Sequence, residues 1–222
     1  MNVVIFGPPG AGKGTQAQNI AAKFNLHQVS SGDLLRDEVK KKSEIGKEIE
    51  NKISKGDFAT DNIVNKLIKN VALDPNYRNR IIYDGYPRNI NQAKNLELVL
   101  NLDNQSINFI FFLKVSRSDL EKRILGRVTC KKCNKIFNEF YDGDIIQNHE
   151  CGSEYLIKRL DDNKDVIINR YEEYMKQTKP VLNFYSSRNE CDGISDSVAV
   201  VLIDEDLYYI VQLRLYRIYW MT

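Results

Sequence analysis

The residues Gly7-Pro8-Pro9-Gly10-Ala11-Gly12-Lys13-Gly14-Thr15 are the ones in this chain best suited to holding a polyphosphate. Glycines let successive backbone N–H groups turn toward one anion, a helix N-terminus adds partial positive charge, and Lys13 supplies a full one. The loop directly follows an apolar run and opens a helix-like segment. A glycine-rich turn with a merely solvated lysine would need neither placement. Thr15 offers a hydroxyl to phosphate and Mg²⁺. Asp84 ends the apolar run Ile81-Ile82-Tyr83, where a carboxylate would meet that Mg²⁺ through water.

Arginines carry the second set of signals. In Ser30-Ser31-Gly32-Asp33-Leu34-Leu35-Arg36, a hydroxyl at a helix start and a guanidinium further along can meet one phosphate, the guanidinium gripping two of its oxygens. Asp84-Gly85-Tyr86-Pro87-Arg88 is followed by Gln92, whose amide offers a donor and an acceptor together to a base edge. Arg123 and Arg127 lie four apart on one helical face. Arg159-Leu160-Asp161-Asp162 and Arg170 follow later in the chain. Each arginine alone would be a solvated surface charge. Together they suit phosphoryl transfer, which rests on in-line positioning and on neutralising charge in the transition state. No general base is required.

The phosphate loop departs from the general G-x-x-x-x-G-K-[ST] form, because Gly14 takes the hydroxyl position and Thr15 comes one residue later. In this form GPPGAGKGTQ resembles the loop of nucleoside monophosphate kinases, and the resemblance extends along most of the chain to the long-lid bacterial adenylate kinases. It implies ATP held by Gly10, Ala11, Gly12, Lys13, Gly14, Thr15, Arg123 and Arg127. It implies AMP held by Ser31, Arg36, Ile53, Asp57, Phe58, Ala59, Gly85, Arg88, Gln92, Arg159 and Arg170. Lys13, Arg88, Arg123, Arg159 and Arg170 would be catalytic, moving the terminal phosphoryl of ATP to AMP with Mg²⁺ and giving two ADP. Two covers would close before transfer and reopen for release, with Gly126 and Asp161-Asp162 as hinge positions; the lid of this very family is a general example of such closure.

Cys130-x-x-Cys133 has the spacing of a zinc knuckle. In long-lid members of the family a second cysteine pair completes the tetrahedron. Here Cys151 resembles the last cysteine, while the position three earlier is Asn148, with His149 beside it. The set proposed from the sequence is Cys130, Cys133, His149 and Cys151, with Glu150 and Glu154 as substitutes for His149. A zinc ion there would be structural, replacing the core that so small a lid cannot build.

The elements that must position these groups alternate short apolar runs with helical segments, the pattern of a P-loop NTPase-type parallel sheet flanked by helices. Strands are expected at 2–6, 27–29, 81–84, 108–113 and 198–203. Helices are expected at 13–24, 61–73, 89–100, 116–126, 162–186 and 207–219. A single domain over 1–222 follows, with a core of 1–29, 60–126 and 160–222, a helical AMP-binding insert at 30–59 and a small β-rich lid at 127–159. Asp142-Gly143 between extended runs reads as a hairpin turn.

Composition narrows the alternatives. The chain has 222 residues with 42% hydrophobic and 28% charged side chains, and a net charge of +2 from 32 basic and 30 acidic residues. That balance gives no reason to expect nucleic acid, so a zinc-ribbon nucleic-acid binder is disfavoured. No apolar run suggests a membrane span or signal peptide, and a cytoplasmic monomer acting on ATP, AMP and ADP is expected. Cys191 reads as an ordinary buried residue. A kinase for UMP or CMP shares the loop and the D-G-x-P-R segment, but the long lid and Gln92 speak against it. The aromatic end Tyr216 to Trp220 has no functional account.

Overall fold

The computed structural model describes residues 1–55, 58–159, 162–186 and 199–203. Its elements in chain order are β1 (Asn2–Phe6), α1 (Lys13–Phe24), β2 (His27–Ser30), α2 (Ser31–Lys40), α3 (Glu44–Lys55), α4 (Asp61–Ala72), β3 (Ile81–Asp84), α5 (Ile90–Asn101), β4 (Ile107–Leu113), α6 (Arg117–Leu125), β5 (Arg127–Cys130), β6 (Ile136–Asn138), α7 (Gly143–Gln147), β7 (Leu156–Ile157), α8 (Lys164–Glu173), α9 (Lys179–Ser186) and β8 (Ala199–Ile203). Short 3₁₀ turns lie at Pro75–Tyr77 and Ser153–Tyr155.

Five strands form one parallel sheet in the order β2-β3-β1-β4-β8. Alternate residues of the central strands point to opposite faces, and both faces are buried. Val4, Phe6, Ile81, Tyr83 and Ile110 pack under α4, α5 and α9. Val3, Ile5, Ile82 and Phe111 pack with Ala17 and Ile20 of α1 and Leu120 of α6. From β1 the chain crosses to β2 at one edge, returns to β3 beside β1, and then crosses β1 to β4 on its other side, so the crevice opens at the carboxyl ends of the strands around β1. The phosphate loop leaves β1 there, Asp84 ends β3 there, and Ser31 follows β2 there.

β5, β6 and β7 form a separate antiparallel sheet in the order β6-β5-β7. Its small core is Val128, Cys130 and Phe137, with Ile146, Cys151 and Leu156 packed against them.

Two expectations are corrected. Asp142-Gly143 is not a hairpin turn but the start of α7, because the Asp142 carboxylate turns back to accept from the Asn138 N–H at 2.7 Å. The hairpin between β5 and β6 is made by the cysteine knuckle, closed by Asn134 N–H to the Cys130 carbonyl at 2.9 Å, with Asn134 at φ 59°. The expected helix over 162–186 starts only at Lys164, where the Asn163 side chain caps it by accepting from Val166 N–H at 3.1 Å. It is also interrupted by a π-type turn at Tyr174–Thr178. The expected helix over 207–219, Cys191 and the aromatic end lie outside the described residues.

Candidate active site

The phosphate loop takes its shape from backbone that only glycine adopts cheaply. Gly10 has φ +80°, and a Cβ there would stand 2.6 Å from Ile124 Cγ1 and 3.0 Å from the Leu120 carbonyl oxygen. Lys13 Nζ donates to the carbonyls of Gly7 (2.8 Å) and Pro8 (2.9 Å), which hold the ammonium over the loop. Burial, opposed by the neighbouring Asp84 carboxylate, brings the Lys13 ammonium down to about 8. Asp84 is buried, and burial raises its carboxyl above the usual range despite the attraction of Lys13. Gln28 Nε2 donates to Asp84 Oδ2 at 3.3 Å and lies 3.5 Å from the Gly14 carbonyl oxygen.

After β2 the N-cap of α2 is Ser30, whose Oγ accepts from Asp33 N–H. Ser31 is released from that duty, and its buried hydroxyl donates to the Gly85 carbonyl at 2.6 Å. Gly85 has φ +72°, and an added Cβ would stand 3.1 Å from Ser31 Oγ and 3.4 Å from the Arg88 guanidinium. Arg88 Nε donates to the same Gly85 carbonyl at 2.8 Å, and its guanidinium carbon lies 4.5 Å from the centre of the Phe58 ring. Arg36 pairs with Asp33 at 2.5 Å.

Gln92 is 1% exposed and sits behind this loop. Its Oε1 accepts from Arg88 N–H at 2.8 Å and its Nε2 donates to Asp61 Oδ1 at 2.7 Å, which leaves one lone pair and one amide hydrogen uncommitted among the described residues. Ala59 buries its methyl in the main core, so only its backbone can face a ligand. Ile53 lies in α3 and its side chain is not described; Asp57 and Asp161 lie outside the described residues.

Arg127 does not share a helical face with Arg123 as expected, because α6 ends at Leu125 and Arg127 opens β5; it forms a two-point ion pair with Asp162, with Nε to Oδ2 at 2.8 Å and NH2 to Oδ1. Lys13, Arg36, Arg88, Arg123, Arg127, Arg159 and Arg170 all line a single cleft of about 940 Å³. Their convergence has an electrostatic signature. Burial, with Arg170 and Arg36 nearby, lowers Arg88 to about 10; burial, with Arg127 and Arg36 nearby, lowers Arg159 to about 10. Such a cleft is built to receive several negative charges at once.

The lid sheet lies over the loop. Gln18 Nε2 of α1 donates to the Asn134 carbonyl at 3.2 Å, and Ile136 Cδ1 stands 3.3 Å from where a Gly14 Cβ would be. Sequence reasoning missed Gln18, Gln28, Asn134, Ile136 and Thr178, for which spacing gives no signal.

In the lid, the ligand atoms of Cys130, Cys133, His149 and Cys151 lie within 4.8 Å of one another. Cys133 Sγ is 3.5 Å from His149 Nε2, and Lys132 N–H points to Cys130 Sγ at 3.4 Å. Against the effect of burial, the Cys133 N–H, the His149 ring and the Lys132 N–H bring the Cys130 thiol down to about 6, while burial and the neighbouring sulfurs push Cys151 up to about 11. Three thiols and an imidazole at this spacing fit a tetrahedral soft-metal site.

A parallel sheet with a glycine loop between β1 and α1, a carboxylate at the end of β3 and an arginine-lined cleft defines a P-loop nucleotide-binding protein of the phosphotransferase kind. The family model described as adenylate kinase matches residues 5–190. The chain is 54% identical over 199 residues to an adenylate kinase of Pelagibacter ubique (strain HTCC1062), covering 88% of this chain and 93% of that one. It is 38% identical over 216 residues to one from Rickettsia africae (strain ESF-5), and 34% identical over 214 residues to one from Thermosipho melanesiensis (strain DSM 12029 / CIP 104789 / BI429); each match covers 96% of this chain and all of the relative. The chain belongs to the adenylate kinase family.

Proposed function

We propose that this protein catalyses the reversible transfer of the terminal phosphoryl of ATP to AMP, giving two ADP. The observation that carries this reading is the convergence of Lys13 and six arginines on one cleft beside the phosphate loop. The donor polyphosphate lies along Gly10 to Thr15, with Lys13, Arg123 and Arg127 on its oxygens. The acceptor phosphate lies between Arg36 and Arg88, and the free amide valences of Gln92 meet the base edge. Arg159 and Arg170 reach the transferring group from the far side, where fixed positive charge stabilises the transition state more than the ground state.

Mg²⁺ fits beside Thr15 and Asp84, where a buried carboxylate lines the cleft next to Lys13. When bound it neutralises phosphate charge and orients the donor. Zinc fits the Cys130, Cys133, His149 and Cys151 set and would fix the lid's shape without entering the reaction. The chain divides functionally into the core, the insert at 30–59 and the lid at 127–159. The protein would act as a monomer, and a cytoplasmic setting would keep the lid thiols reduced.

Purified protein with Mg²⁺, ATP and AMP is expected to form ADP. Comparable turnover with UMP and none with AMP would overturn the acceptor assignment.

A further inference from the structure

Thr178 is buried within the helical stretch that carries Arg170, and it lines the cleft. A threonine in a helix ordinarily turns its hydroxyl back onto the carbonyl four residues earlier. That carbonyl, on Tyr174, accepts the N–H of Lys179 instead, the i to i+5 bond of the widened turn Tyr174–Thr178. The Thr178 hydroxyl donates across to the Arg88 carbonyl at 2.8 Å, linking positions 90 residues apart. Turns of this kind recur at functional sites because they redirect single side chains out of the helical pattern.

The contact has a mechanical sense. Arg88 and Arg170 repel each other, as the lowering of Arg88 by its neighbour records. Arg88 sits on the loop after β3, and Arg170 on α8. Gln92 holds the Arg88 N–H from one side, and Thr178 holds its carbonyl from the other. We infer that Thr178 is a positioning residue for Arg88, delivered by the Tyr174–Thr178 turn, which fixes the distance between the acceptor-side arginine and the helix bearing Arg170.

This inference rests on the acceptor role given to Arg88 above. Thr178→Val keeps size and β-branching but removes the donor, while Thr178→Ser keeps the donor. Losing one neutral buried hydrogen bond corresponds to roughly fivefold. The Val variant is therefore expected to raise KM for AMP about fivefold, with kcat and KM for ATP each changed less than twofold. Calorimetric titration with AMP alone should show the same weakening, and the Ser variant should recover to within about twofold of wild type. If the Val variant melts early, the AMP titration is run at 10 °C on the folded fraction, with Thr178→Cys, a weaker donor, as a second variant expected to fall between Val and Ser. Unchanged AMP affinity, equal effects on both substrates, or no recovery with Ser would overturn the inference. A wild-type protein that makes no ADP would instead overturn the acceptor role itself.

Discussion

Replacing Arg88 by alanine is the sharpest test of the electrostatic reasoning. Its Nε is already committed to the Gly85 carbonyl and one face rests on Phe58, which leaves the outer N–H groups to grip a phosphate as a fork. Two charge-assisted hydrogen bonds at about 1.5–3 kcal/mol each give roughly 3–6 kcal/mol of lost stabilisation. At 1.36 kcal/mol per decade this is about 10² to 10⁴ in kcat/KM for AMP. The free protein should respond differently, because removing Arg88 takes one of two donors from the Gly85 carbonyl, leaving the Ser31 hydroxyl, but also relieves its repulsion with Arg170 and Arg36. The two effects oppose, so the melting midpoint is expected to move by no more than about 4 °C. The assay is coupled ADP formation at varied AMP, alongside thermal unfolding. Less than a tenfold loss, or a loss confined to KM for ATP, would refute the placement of the acceptor phosphate at Arg88.

The remaining expectations concern the loop and the lid. Lys13 is charged below about pH 8 and neutral above it in the free protein, so kcat/KM for ATP should fall above pH 8. Bound phosphate favours the charged ammonium, so kcat should hold to higher pH; coincident alkaline limbs near pH 10 in both profiles would contradict this. Gly10→Ala must place a Cβ against Ile124 and the Leu120 carbonyl at a left-handed φ, and should cost about 1–3 kcal/mol in denaturant unfolding while weakening ATP binding. After thorough dialysis, elemental analysis should find about one zinc per chain, reduced in Cys133→Ser; zero zinc in folded, active protein would remove the lid site.

How far the sequence could be read depended on whether a residue's role is local. The phosphate loop was legible because its glycines, its lysine and its place between β1 and α1 all lie within one short stretch. The strand and helix pattern was legible because the central strands of the parallel sheet are buried on both faces, so residues 3–6, 81–83 and 109–113 of β1, β3 and β4 are apolar throughout. Gln28 and Thr178 were not legible, since each acts through a partner that only the folded chain brings near, Asp84 in one case and Arg88 in the other. Asp142-Gly143 misled for a local reason: the same dipeptide that favours a tight turn also starts a helix once its carboxylate finds the Asn138 N–H. The knuckle residues Cys130 to Asn134 supplied the true reversal, and their cysteines hid it behind a metal-binding signature.

The lid's apolar centre of Val128, Cys130 and Phe137 is separate from the two clusters that flank the parallel sheet. So small a nucleus has little cooperative reserve of its own, and its opening is expected to cost less free energy than unfolding the whole chain. On warming, the small antiparallel sheet is expected to fray before the parallel one. The upper temperature for turnover is thus expected to follow the atoms around the knuckle rather than the durability of the large sheet, so turnover should be lost at a lower temperature than the far-ultraviolet signal of the sheet and its helices.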